Sequence, residues 1–242
     1  PLAAATLALL LRANYPMSQL LFWGIPALML TLRARAHAKK AALFAGSLTV
    51  LAMALDLIFY VTRQWYVFSA LDSRLFGIVA WEDILYFFLF IYFPVLFWEY
   101  FLERTRREHA WRKRMTKFLV IVALIFILIA CAWRWAPAAL QIPYFYLICM
   151  FLVAIVPLSL QLRAHPALGP KFLRLGAYFA YVAIIYEVTS IYLGQWIYPS
   201  SQFVGWVELF GQRFPFEELV TWILIGAPAI LAWYEYLDDD NR

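Results

Sequence analysis

Charge is scarce in this chain. Asp, Glu, Lys and Arg make up 14% of its 242 residues, while 65% are hydrophobic and 19% aromatic. A soluble domain of this length carries roughly 25% charged residues, so the composition excludes an ordinary soluble enzyme and fits an integral membrane protein. Histidine and cysteine are scarce too. His37, His109 and His165 fall in connections between apolar runs, and Cys131 and Cys149 fall inside such runs. No metal-ligand spacing results, and the two cysteines read as small packing residues rather than a disulfide. There is no dinucleotide-binding glycine fingerprint and no Asp-rich diphosphate motif. The expectation is therefore chemistry without metal or cofactor.

The long apolar runs are what is present. Seven reach about 20 residues, enough to cross a bilayer: 15–32, 41–62, 82–101, 117–134, 141–161, 172–193 and 216–237. The stretch Pro1 to Leu11 lacks a charged leader and reads as an interfacial lead-in. The net charge of +5 resolves by connection. Arg33, Arg35, Lys39 and Lys40 follow the first run. Arg104, Arg106, Arg107, Arg112, Lys113, Arg114 and Lys117 follow the third. Arg163, Lys171 and Arg174 follow the fifth, and Arg242 ends the chain. This places 15 of the 20 Lys and Arg residues on one side. The positive-inside rule then predicts an outer N-terminus and a cytoplasmic C-terminus in a multi-pass cell-membrane protein. The basic connections meet anionic lipid, not nucleic acid.

A shift of 131 residues lays the first half on the second. Pro26 falls on Pro157, Lys40 on Lys171, Asp56 on Glu187, Gln64 on Gln195 and Trp65 on Trp196. With four more loop residues the shift becomes 135, and Glu82 falls on Glu217, Asp83 on Glu218 and Trp98 on Trp233. The predicted fold is an all-α polytopic membrane protein forming one membrane domain over 1–242. Seven transmembrane helices divide into two parallel three-helix repeats, 15–102 and 141–237, joined by a linker span at 117–134 (3+1+3). Six carboxyls, Asp56, Glu82, Asp83, Glu187, Glu217 and Glu218, then lie in the outer third of one bundle. Acids at that depth face protein or water, not lipid. Glu82 shares a helix face with Tyr86 and Glu217 with Thr221, which ranks these two as the inward-facing acids. Asp83 and Glu218 pair instead with Phe87 and Trp222.

This doubled pattern resembles the membrane-embedded lycopene cyclases, carotenoid cyclases built from two tandem three-helix units. The first unit reads Asp56, Trp65, Gly77, Glu82-Asp83-Ile84-Leu85-Tyr86-Phe87. The second reads Glu187, Gly194-Gln195-Trp196, Gly205, Pro215-Phe216-Glu217-Glu218. It is similar, more distantly, to the small membrane terpene cyclases of fungal meroterpenoid pathways. Ala80 stands where the family pattern has proline, Thr221-Trp222 where it has Phe-Phe, and Glu187 where it has Asp. The resemblance implies proton-initiated cyclisation of a lipophilic linear polyene or isoprenoid, an isomerisation within the bilayer.

The residues suit that chemistry. Paired carboxyls in apolar surroundings can divide the roles of acid and base. Trp65, Trp81, Tyr86, Trp196 and Trp222 lie beside them in sequence and could stabilise a carbocation, although Trp and Tyr also form interfacial belts. The alternative is a seven-helix small-molecule transporter or binding protein that uses the same acids as a proton relay, and a third reading is an assembly partner with inactive acids. A retinal protein is disfavoured, because Lys39, Lys40, Lys113, Lys117 and Lys171 all lie in connections or at span ends.

Overall fold

The structure is a computed structural model that describes residues 1–102 and 111–238. The expected cytoplasmic Arg104, Arg106, Arg107, His109 and Arg242 lie outside the described residues. The chain is mostly helical, as lipid demands of any segment that must satisfy its own backbone. Helix α1 is Leu2–Leu11. Helix α2 runs continuously through Tyr15–Gln19, a wide π turn at Leu20–Gly24, and Ile25–Arg33. Next come α3 (Arg35–Val61), α4 (Glu82–Leu102), α5 (Trp111–Trp135), α6 (Phe145–Ala164) and α7 (Gly169–Tyr192). The last two helices, α8 (Phe216–Leu224) and α9 (Gly226–Asp238), meet at an angle of 51°.

Among the described residues, five helices are long and apolar enough to cross a membrane, and the bent α8–α9 pair makes a sixth if taken as one span. The run expected at 15–32 is helical but falls outside that set, because Ser18 and Gln19 interrupt it and Arg33 ends it. Those two polar side chains are fully buried against protein, not lipid. Helix α5 is the peripheral one, with only 17% of its apolar window buried.

Prolines shape the helices. A proline lacks an N–H and leaves the carbonyl four residues earlier without its usual donor. Pro26 and Pro157 each follow a π turn, at Leu20–Gly24 and Met150–Ile155, which absorbs the misfit. The freed carbonyl before Pro157 is that of Val153, and it accepts the Trp233 indole N–H at 2.9 Å. Pro228 sits just beyond the α8–α9 bend, and its ring packs on Gly176 of α7. A Cβ at Gly176 would lie 2.9 Å from the Pro228 ring.

At one end the connections 62–81 and 194–215 meet. Strand β1 (Tyr66–Val67) pairs antiparallel with β4 (Trp196–Ile197), joining Tyr66 to Ile197 and Val67 to Trp196. Short hairpins complete them: β2 (Arg74–Leu75) with β3 (Val79–Ala80), and β5 (Trp206–Leu209) with β6 (Gln212–Pro215). Phe210 and Gly211 both take positive φ in the second hairpin's two-residue turn, as a type I′ turn requires. At the opposite end, buried Glu99 accepts from Tyr234 and pairs with His37 at 3.0 Å and Lys40 at 3.4 Å. Lys40 also pairs with Asp238, and the Trp98 indole donates to Glu235 at 2.7 Å. These contacts tie α3, α4 and α9 together with charges that are buried and paired, as burial requires.

Gly176→Ala should lower stability by about 1–3 kcal/mol through overpacking on the rigid Pro228 ring. Gly46→Ala, where a Cβ meets nothing within 4 Å, should instead gain roughly 0.5–1 kcal/mol. Thermal unfolding in detergent checks both, and equal melting temperatures would refute the close helix packing at Pro228.

Candidate functional site

Each connection delivers acids to the bundle through the first turn of a helix, where carboxylates complement the positive helix end. Glu82 and Asp83 open α4, and Glu217 and Glu218 open α8. All six candidate acids are buried, none more than 5% exposed. They fall into three sets with different work.

Glu82 and Glu217 turn back toward the connections. The Glu82 carboxylate accepts from the Ser69 hydroxyl, from Ala70 N–H at 2.7 Å and from Leu71 N–H at 3.0 Å. Glu217 accepts from Val204 N–H at 2.7 Å. Both stand in the first turn, Glu82 at the first helical position and Glu217 at the second, and each holds the incoming loop through its backbone amides. The expectation that they face inward because Tyr86 and Thr221 stand four residues on is replaced. The inward-facing acids are Asp83 and Glu218, one residue later, because the interior they face is aromatic rather than polar.

Asp83 forms the first inward pair with Asp56. The Tyr15 and Tyr60 hydroxyls each donate to Asp83 at 3.0 Å. Neither Asp56 oxygen meets an N–H or O–H donor among the described residues, and its neighbour is the Asp83 carboxyl. The Arg74 guanidinium stands near this pair, 5.6 Å from the Tyr60 ring and 4.7 Å from the Tyr66 ring. Tyr15 and Tyr60 thus stand directly against the pair.

Glu187 and Glu218 form the second inward pair, and it is open. Glu187 accepts from the Trp196 indole at 3.2 Å and the Tyr198 hydroxyl at 2.8 Å. Glu218 accepts from the Tyr146 hydroxyl. Tyr198 lies in the connection after α7, where burial and the Glu187 carboxylate raise its hydroxyl pKa well above the ordinary value. It therefore remains a proton-bearing donor. Both acids line a small cavity whose other walls include Trp65, Tyr86, Trp196 and Trp222. The Trp65 and Trp196 rings meet edge to face at 6.4 Å, and Tyr86 stacks on Tyr186 at 5.9 Å.

Below Phe59, Phe87 and Trp222 lies a second, narrow cavity, which shares those three residues as walls. Its lining is aliphatic and aromatic apart from Thr221 and Cys149. Thus four of the five aromatic candidates surround the open acid pair. Trp81 does not; it is 42% exposed and borders an outward groove with Ile84, Leu85 and Phe88. Sequence reasoning missed the tyrosine donors Tyr15, Tyr60, Tyr146 and Tyr198. The signal was available for one pair, since Tyr15 and Tyr146 stand 131 residues apart.

Two glutamines fix the halves around the site. The Gln195 amide donates to the Ala13 carbonyl at 2.8 Å and the Ser18 hydroxyl at 2.7 Å. Gln64 accepts the Tyr146 N–H at 2.6 Å, one of the orphan donors that begin α6. Gln195→Ala should cost about 1–3 kcal/mol, because it leaves the buried Ala13 carbonyl unpaired. Chemical unfolding in detergent measures this, and an unchanged midpoint would mean that the crossing bond contributes nothing. In comparisons with family models, curated proteins and solved structures, no match to this chain was found.

Proposed function

We propose that the chain is an integral-membrane cyclase that isomerises a linear isoprenoid by proton transfer. The observation that carries this reading is a carboxyl pair, Glu187 and Glu218, opening on a cavity walled by aromatic and aliphatic side chains. A proton source in apolar, cation-tolerant surroundings is what alkene protonation needs. A carboxyl of the pair gives its proton to a terminal double bond. The electrons of a second double bond close the ring on the resulting cation. A proton leaves a carbon beside the new cation and returns to a carboxylate of the pair. Proton gain and loss balance, so the reaction consumes no oxidant, reductant or leaving group. Trp65, Tyr86, Trp196 and Trp222 present ring faces or edges around the path, and Tyr146 and Tyr198 hold the acids in place.

In this reading the chain is one membrane domain of seven spans, with units 15–102 and 141–237 joined by a linker at 117–134. Several contacts support the two-unit arrangement. Tyr66 pairs with Ile197, its own counterpart at 131 residues, as a strand pair on a two-fold axis must. Tyr15 binds Asp83 as Tyr146 binds Glu218. Glu99 binds Tyr234, its counterpart at 135 residues. The loop charges support an outer acid end and a cytoplasmic C-terminus. A transporter would need a polar route onward from the acids, whereas the space beyond them is lined by side chains such as Leu48, Val153 and Ile230.

The test is expression in a host accumulating linear isoprenoids, followed by lipid and pigment analysis. Wild-type protein should yield a cyclic isomer of equal mass. Glu218→Gln keeps the shape but carries no acidic proton, so product should fall by about 10²–10⁴-fold, with the protein still inserted. Glu82→Gln should retain most activity if folded. The absence of any cyclic isomer with wild-type protein, or full turnover by Glu218→Gln, would overturn the assignment.

A further inference from the structure

The space below the acid pair has a measurable depth. On α3 its wall runs from Phe59 through Leu55 and Leu51 to Leu48, one helical face. Eleven residues at 1.5 Å each give a tube of about 16 Å. That is roughly half of the ~30 Å hydrocarbon core of a bilayer. The floor is Leu48 with Trp233, whose indole is pinned by the Val153 carbonyl. Beneath the floor the rings of Phe44, Phe118 and Tyr234 interlock, with centroids 5.2–6.5 Å apart. Trp233 itself packs on Phe118 at 6.0 Å. Under those rings lies the ion cluster of Glu99, Lys40 and Asp238. The tube therefore ends blind.

We propose that this tube is a molecular ruler: it holds the apolar tail of the substrate, and Trp233 and Leu48 set the greatest tail length. The reacting terminus lies at Glu187 and Glu218, and the tail descends between α3, α4, α6 and the α8–α9 bend. A charged or strongly polar tail end has no partner there, since an unpaired polar group loses its hydration on entering such a lining. The substrate class is thus a linear hydrocarbon chain that spans about half the bilayer core, with any polar group confined to the acid end. Chains as long as the whole core do not fit between the acids and the floor. This inference rests on the cyclase reading for the identity of the reacting end, but its length limit concerns binding alone.

Cys149 lines the same tube and supplies a reporter. In a Cys131→Ser background it is the sole thiol. Purified protein in nanodiscs is treated with an apolar maleimide in the presence of farnesene, squalene or lycopene, in order of increasing length. Unliganded Cys149 should be labelled, and farnesene at about ten times its Kd should slow labelling about tenfold by occupancy. Squalene and lycopene should leave the rate within about twofold of the unliganded value, since a chain that cannot enter has no occupancy. Trp233→Ala should extend protection to squalene. If that variant fails to fold, Ala229→Leu, which narrows the tube from α9, should abolish protection by farnesene. Equal protection by all three hydrocarbons, no protection by any, or a Cys149 that never labels would each overturn the ruler. Cyclisation of lycopene by the wild-type protein would overturn the ruler and uphold the cyclase reading. Protection by farnesene alone, with no cyclic product from any chain, would uphold the ruler and overturn the cyclase.

Discussion

Carboxylates cannot be left facing lipid, and the structure is arranged around that constraint. Six acids stand at or near one end of an apolar bundle, and five of them are met by named donors. Backbone amides of the connections take Glu82 and Glu217, tyrosines take Asp83 and Glu218, and an indole with a tyrosine takes Glu187. Those partnerships dictate that the connections fold inward over the helix ends rather than loop into solvent. The short β1–β4 pairing follows from the same demand, because it brings Trp65 and Trp196 together between the two inward acid pairs.

The two inward pairs have diverged in what surrounds them. Around Asp56 and Asp83, Tyr15 and Tyr60 both donate to the Asp83 carboxyl. Around Glu187 and Glu218 the counterpart of Tyr60 is Ile191, which offers no hydroxyl, and Tyr198 approaches Glu187 from the connection instead. One pair is held by two tyrosines from the helices, and the other lines a cavity.

Much of this was legible in the sequence. The apolar runs located every long helix, and the scarcity of acids made the matches of Asp56 with Glu187 and Asp83 with Glu218 conspicuous. The choice of inward-facing acid was not legible, for two physical reasons. Glu82 and Glu217 stand in the first turn, at the first and second helical positions, where their side chains serve the incoming loop, so an i, i+4 argument does not govern them. The α8 helix also begins with a π turn at Leu219–Leu224, which rotates the residues that follow relative to an ideal helix. Trp81 was misplaced by proximity in the chain; it precedes the helix and points away from the acids it adjoins. The bend at Ile225 could not be read either, because Pro228 and the close approach of Gly176 act only in the folded bundle.

The depth of the cavity depends on a single proline four residues from a carbonyl. Pro157 denies Val153 its helical donor, the π turn at Met150–Ile155 turns that carbonyl toward α9, and Trp233 fills the vacancy. The counterpart tryptophan, Trp98, instead donates to Glu235 and joins the ion cluster. The two indoles thus do unlike work: Trp233 takes the freed carbonyl at the wall of the cavity, and Trp98 binds the buried Glu235 carboxylate. Because Val153 and Trp233 both line the apolar space, its shape depends on backbone hydrogen bonding as well as on side-chain size.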